Sequence, residues 1–285
     1  MNYSKLPHIA VAFVMFFAGS YFVYAQPSQS LIKKTITKTD SFEFGAGGTV
    51  AVTGAPEGSI RVVGNSKNEI EITARIELQA ANEADFNKLI PVTGFLTDET
   101  IGRTGIISFG TFKKLGEKKL WKKFPKNLMG LPLRIDYIIS VPRFCDLEID
   151  GGKGDLSITG VEGSLRINFL ETNADILAGV GATNITVGSG SVTVALGVNG
   201  WRGRAANISI GSGDLSVKLP SSASAEIDAT ILRTGSIENL LPDLKARDRK
   251  IPFTEKSIMA KVGVGGSSLK FTVGDGTLKL MRLAD

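Results

Sequence analysis

The stretch that decides the fold runs from Cys145 to Ile237, where one short unit recurs. It reads Gly154-Asp155-Leu156-Ser157-Ile158, Ala174-Asp175-Ile176, Gly190-Ser191-Val192-Thr193-Val194, Gly213-Asp214-Leu215-Ser216-Val217 and Gly235-Ser236-Ile237. Successive units step by 20, 16, 23 and 22 residues, and Gly276-Thr277-Leu278-Lys279-Leu280 repeats the unit near the C-terminus. Between them lie further strand-like runs at Ser164–Ile167, Thr183–Val187 and Asn207–Ile210. A period of about 20 with two short strands per repeat predicts a β-solenoid, because a coil that small buries its Leu, Ile and Val only by stacking on its neighbours. The expectation is a parallel stack from about Cys145 to Ile237, with Leu156, Val192 and Leu215 buried along one axis. A β-sandwich also accommodates strands at this spacing. The recurrence of Gly-[Asp/Ser/Thr]-[Leu/Val/Ile] favours the solenoid.

The flanks carry the same alternation. Thr49–Val52, Ser59–Val62 and Glu69–Ile72 read as short strands between turn residues, and Arg134–Val141 as a longer strand stopped by Pro142. Ala80–Ile90 is the one convincing helix. The whole is therefore expected to be all-β with one short helix near 80–90. The expected organisation is a signal segment at 1–25, a linker at 26–41, an N-terminal β region at 42–133 and the repeat region at 134–285.

Lys5 precedes a run of about 17 apolar residues from Ile9, and Val23-Tyr24-Ala25 places small residues where a signal peptidase cuts. This predicts export to the periplasm, cell surface or medium with cleavage after Ala25. An uncleaved N-terminal anchor is the alternative, since the run is at the short limit for a membrane span. Cleavage would remove His8, the only histidine, and with it every histidine-based catalytic or metal-binding scheme. Cys145, the only cysteine, excludes disulfides within the chain and reads as a small buried apolar residue. No cofactor is expected, and no enzyme activity.

Taken together, GTVAVTGAPEGSIRVVGNSKNEIEITA, RIDYIISVPRFCDLEI, GDLSITGVEGSLRI, NISIGSGDLSVKL and GVGGSSLKFTVGDGTLKL resemble the bacterial putative adhesin family, β-strand-repeat proteins of the cell envelope. The resemblance covers about residues 42–80 and 134–282. It implies a β-helix-like fold and envelope localisation, with a role in adhesion or scaffolding. The lysine-rich insertion at 110–130 departs from that pattern.

Three features are candidate sites. Phe112–Lys126 holds seven lysines and one glutamate, against a net charge of +5 for the whole chain, so the basic balance resides in this segment. Lys113, Lys114, Lys118, Lys119, Lys122, Lys123 and Lys126, interleaved with Trp121 and Phe124, suit an anionic lipid surface or a polyanion. The structural reading is a solvated excursion between two strands, with its aromatics packed on the solenoid. The turn aspartates Asp155, Asp175 and Asp214 would stack about one rung apart if their units align, as a retaining glycosidase or a shared calcium ion requires. Ordinary Gly-Asp turn chemistry is the structural reading, and GGKGDLSIT lacks the spacing and tandem copies of a calcium-binding nonapeptide. Trp201, between Gly200 and Gly203 and beside Arg202 and Arg204, either stacks on a sugar or closes a turn over the core. Envelope polysaccharide, anionic lipid and another envelope protein are the partner classes left open; nucleic acid is not expected of an exported chain. The competing functions are an adhesin-like or scaffolding protein, a membrane- or polyanion-binding module, and a carbohydrate-active enzyme on a β-helix.

Overall fold

The computed structural model describes residues 31–45, 47–112, 125–197 and 205–283. These residues are all-β, with one short helix and a large mixed sheet that does not close on itself. In chain order the strands begin with β1 (Ile32–Glu43), β2 (Thr49–Thr53), β3 (Ile60–Asn65) and β4 (Glu69–Ala80). Helix α1 (Glu83–Leu89) and a 3-10 turn (Ile90–Val92) lead to β5 (Gly94–Thr100) and β6 (Arg103–Phe109). A second 3-10 turn (Lys126–Leu128) precedes β7 (Leu133–Pro142), β8 (Asp146–Lys153) and β9 (Leu156–Thr159). Three long strands follow: β10 (Leu165–Ala178), β11 (Thr183–Leu196) and β12 (Ala205–Leu219). The chain ends with β13 (Ala225–Ile231), β14 (Gly235–Asn239), β15 (Lys245–Ala246), β16 (Ser257–Val262) and β17 (Ser267–Arg282).

The middle of the molecule is parallel. β8 and β9 both lie along β10, β10 along β11, and β11 along β12. Leu147 faces Leu165, Leu165 faces Thr183 and Thr183 faces Ala206, so equivalent positions recur at 18, 18 and 23 residues.

Each long strand turns a corner at its centre, and the burial pattern records it. In β11 the buried residues are Thr183, Ile185 and Val187, then Val192, Val194, Ala195 and Leu196: the two-residue alternation jumps phase at the centre of the strand. The jump falls at Gly188-Ser189-Gly190, and again at Gly211-Ser212-Gly213 in β12 and Gly274-Asp275-Gly276 in β17. The second glycine of each has φ of +130°, +127° and +137°. A Cβ on Gly190, Gly213 or Gly276 would lie 1.9 Å from the carbonyl oxygen of Thr172, Gly190 or Gly213, respectively. Both conformation and contact therefore demand glycine. The buried side chains before and after the bend belong to one apolar core, and the pairings sort the strands and strand halves into two series, or walls. The first wall runs β5–β6–β2–β8, continues through the first halves of β10, β11, β12 and β17, and ends at β13, β16 and β15. The second runs β1–β4–β7–β3–β9, then the second halves of those long strands, then β14. Leu156, Ala174, Val192, Leu215, Leu278 and Ile237 form one in-register inward column. Burying a side chain of Leu or Val size contributes about 1.5–3 kcal/mol, so these columns hold the rungs together.

Four expectations are corrected. The rung order does not follow the chain: β17 pairs parallel with β12 on one side and with β13 and β14 on the other, so the Gly276 unit sits between the Gly213 and Gly235 units. Asp175 faces Ser157, whereas Asn173 faces Asp155, because Thr172 occupies the bend position that glycine holds elsewhere. Residues 32–41, expected as part of a linker, belong to β1, which pairs antiparallel with β4 over its full length and rests Ile36 and Phe42 on the core. The expected division at 133/134 is not a division of the core: β7 pairs with both β3 and β4, and Leu31–Asp285 is one compact unit.

The ends differ from the middle. At one end β4 runs antiparallel to β1 and β7, and β5 to β6. There α1, N-capped by Asn82 accepting from the Asp85 amide at 2.9 Å, buries Phe86 and Leu89. A buried hydrogen bond of 2.7 Å joins the Ser108 and Tyr137 hydroxyls across the two walls. At the other end β16 runs antiparallel to β13 and β15, with Leu241 buried beside them.

Candidate functional site

Outward-facing side chains inherit the register of the rungs, so they form columns running across the strands. On the second wall one column reads Asp136, Ser59, Asp155, Asn173, Ser191, Asp214, Thr277 and Ser236. The next reads Thr73, Ile138, Arg61, Ser157, Asp175, Thr193, Ser216, Lys279 and Glu238. Where these columns cross β3, β9, β10 and β11 they line an open groove of about 640 Å³. It is continuous through Ser59 and Arg61 with a second hollow of about 340 Å³ that also touches Arg75, Asp136 and Ile138.

The two columns differ in how their polar atoms are used. In the first, Asp136 accepts from the Ser59 amide and hydroxyl, both at 2.8 Å, and from the Arg134 guanidinium at 3.0 Å. Burial would raise the Asp136 carboxyl, but the hydrogen bonds from Arg134 and Ser59 outweigh it and hold the pKa below the usual carboxylate value. The Asn173 amide donates to Asp155 at 3.4 Å, and Asp214 accepts from the Thr277 amide at 3.1 Å. In the second column the side chains of Arg61, Ser157, Asp175 and Thr193 have no hydrogen-bond or ion-pair partner among the described residues. Further along, Lys279 and Glu238 pair at 3.0 Å. Four consecutive rungs of this column are thus uncommitted where it lines the groove.

The bend edge is partly committed to ion pairs. Its outward column reads Glu57, Lys153, Glu171, Ser189, Ser212 and Asp275. Lys153 and Glu171 pair at 2.9 Å, and Arg233 closes on Asp275. On the first wall Arg103 pairs with Glu148 at 2.6 Å and Asn168 donates to Asp150 at 2.8 Å.

The sequence-derived candidates fare differently. Asp155 and Asp175 both line the groove, in adjacent columns, and do not stack on each other. Asp214 shares the Asp155 column but lies three rungs away, about 14 Å at the ~4.8 Å strand spacing; this exceeds the ~5–9.5 Å of a glycosidase carboxylate pair. Among the described residues no cluster of three or more His, Cys, Asp or Glu is placed to hold a metal ion. Cys145 is buried, and burial together with Asp146 pushes its thiol up to about 12, so the thiolate is not formed at neutral pH. Lys113, Lys114, Lys118, Lys119, Trp121, Lys122, Lys123, Phe124 and Trp201 lie outside the described residues, as does the N-terminal segment 1–30. Lys126 is exposed at the start of the second 3-10 turn, and Phe112 packs against the core. No described helix is long and apolar enough to cross a membrane. Arg61, Ser157 and Thr193 carry no local sequence signal; they fall in one column only when the units are aligned by their bends, with Thr172 in a glycine position.

No family model matches this sequence, and no curated protein matches it. Among solved structures it is similar to a "putative cell adhesion protein" from Clostridium sporogenes, at 15% identity and a TM-score of 0.44, over 88% of this chain and 100% of that one. It is similar to a "putative adhesin" from Bacteroides fragilis, at 12% identity and a TM-score of 0.37, over 88% and 97%. A "putative lipid binding protein" from Parabacteroides distasonis follows at 9% identity and a TM-score of 0.26, over 87% and 97%. Likeness at this level assigns no role to any residue.

Proposed function

We propose that this chain is an exported, non-enzymatic protein of the cell envelope with an adhesin-like or scaffolding role. Its parallel rungs are read as a two-walled β-solenoid with antiparallel ends, displaying a regular polar face. One observation carries the reading: in-register rungs align Arg61, Ser157, Asp175 and Thr193 as an outward row without protein partners among the described residues. Polar groups of a folded chain are ordinarily spent on one another or on water. A row of them along a groove is what a binding surface for a repetitive partner requires. The bends and core columns make the scaffold rigid, and rigid elements position such groups better than loops do.

The test is fractionation of native cells followed by N-terminal sequencing, with purified chain added back to isolated envelopes. The reading expects the protein in the envelope or medium, beginning at Gln26, and saturable binding to the envelopes. Cytoplasmic protein beginning at Met1, with no envelope binding, contradicts it.

A further inference from the structure

We infer that the groove over β3, β9, β10 and β11 binds a neutral, extended polysaccharide laid along the stacking direction, one sugar unit per rung. This deepens the adhesin-like reading and rests on it.

The geometry first removes a peptide strand as the ligand. β3 and β9 to β11 are interior to the sheet, each paired on both sides across this groove. Strand addition needs a free edge with unpaired backbone groups. Recognition here must therefore run through side chains.

Those side chains are short and close to the sheet. Ser157 and Thr193 offer hydroxyls that donate and accept, Asp175 offers a carboxylate and Arg61 a fork of donors. Asn173 and Ser191 flank them in the neighbouring column. A carboxylate and a guanidinium each engage two adjacent hydroxyls at once, and hydrogen bonds to charged groups are the stronger ones. At the ~4.8 Å strand spacing, equivalent groups recur at close to the length of one pyranose in an extended chain. A ligand with hydroxyls at every step meets a polar group at every rung.

Charge sets the ligand class. The groove holds one cation, Arg61, against the carboxylates of Asp155 and Asp175. A polyanion would meet net repulsion, whereas a neutral glycan meets donors and acceptors in alternation. The run also has defined ends. On one side Asp136 is occupied by Ser59 and Arg134; on the other Asp214 is bound to the Thr277 amide and Lys279 to Glu238. The groove is lined by four rungs, β3, β9, β10 and β11, hence about four sugars.

The experiment is titration calorimetry of the purified chain with neutral hexasaccharides, namely β-1,4-linked N-acetylglucosamine, cellohexaose and maltohexaose, and with oligogalacturonate as the anionic probe. Ser157→Arg fills the groove from an outward position, and Asp175→Asn removes one charge without changing shape. Asn184→Arg makes the matching change on the first wall. Binding of at least one neutral probe is expected, with oligogalacturonate weaker. Ser157→Arg should weaken that binding at least about tenfold and Asp175→Asn about threefold to tenfold, with Asn184→Arg within about twofold. Failure of every neutral probe, preference for oligogalacturonate, or equal loss from Ser157→Arg and Asn184→Arg overturns the inference. Circular dichroism of each variant checks the fold, and Asp175→Asn keeps the test open if Ser157→Arg fails to fold. Should the chain bind isolated envelopes and Ser157→Arg bind them equally, this inference falls alone. If the unmodified chain binds neither oligosaccharide nor envelope, the adhesin-like reading falls with it.

Discussion

The middle of this molecule and its two ends solve the same problem by different means. From β8 to β12, and at β17, each rung is parallel to the next and passes its bend at Gly-x-Gly, leaning on a carbonyl of its neighbour at glycine, except in β10, where Thr172 holds the glycine position. At the ends the rungs turn antiparallel, and α1, Leu241 and a hydroxyl pair finish the core. The difference follows from what each strand meets. An interior rung has an identical surface above and below, so one local solution repeats and tolerance is small. A terminal rung has a partner on one side only, so the chain folds back to cover it, as stacked repeat arrays need caps. Tightness in the middle and variety at the ends should therefore appear in the response to substitution.

The largest expected effect separates the two regions directly. Gly213→Val places a Cβ 1.9 Å from the Gly190 carbonyl oxygen, in a conformation L-residues rarely adopt. It should cost more than about 4 kcal/mol or abolish cooperative folding. Gly102→Ala, in the β5–β6 hairpin, also has positive φ, but nothing lies within 4 Å of its Cβ. About 1–2 kcal/mol is expected there. Urea unfolding of both variants measures the contrast, and equal losses would break it.

Next comes the hydroxyl pair at the N-terminal end. Tyr137→Phe leaves Ser108 buried without its partner and should cost about 1–2 kcal/mol in the same assay. No change would mean that the pair does not close that end.

Thr172 tests the middle in the opposite sense. It holds the bend position of β10 with a negative φ, and its hydroxyl is buried without a partner among the described residues. Thr172→Val keeps the shape and removes the stranded group, so stability should be unchanged or rise by up to about 1 kcal/mol. A clear loss would show that the hydroxyl has a partner.

The smallest effect expected is pH-dependent. The Asp136 carboxyl is held below its ordinary value of 3.8, so its contribution is complete above that value and is lost as pH falls through the lowered one. The native chain should lose stability more steeply below about pH 4 than Asp136→Asn does. Parallel acid limbs would remove Asp136 from the account.

Much of the middle was legible in the sequence because period-two burial and glycine placement repeat there with little variation. Leu156, Val192 and Leu215 do share a buried column. What hid the rest was local. Thr172 in a glycine position shifted the apparent alignment by two residues, which put Asp175 beside Asp155 on paper when Asn173 stands there. The insertion of β17 between β12 and β14 has no local signal, since it depends on which rung offers the better long-range partner. β1 resembles a linker in sequence because its alternation runs through Lys and Thr, with only Ile36 and Phe42 resting on the core. The groove was half legible. Asp155 and Asp175 stood out as turn residues, whereas Arg61, Ser157 and Thr193 acquire meaning only once the rungs are in register.

Every column, and so the groove itself, depends on rung order, which cross-linking can read. In a Cys145→Ala background, Ser216→Cys combined with Lys279→Cys places the pair on neighbouring rungs, within reach of a disulfide, whereas Ser216→Cys with Glu238→Cys places it two rungs apart, about 10 Å. The account predicts that mild oxidation of the folded protein cross-links the first pair and leaves the second reduced. Cross-linking of Ser216→Cys with Glu238→Cys, and not with Lys279→Cys, would mean that the rungs follow chain order and would contradict it.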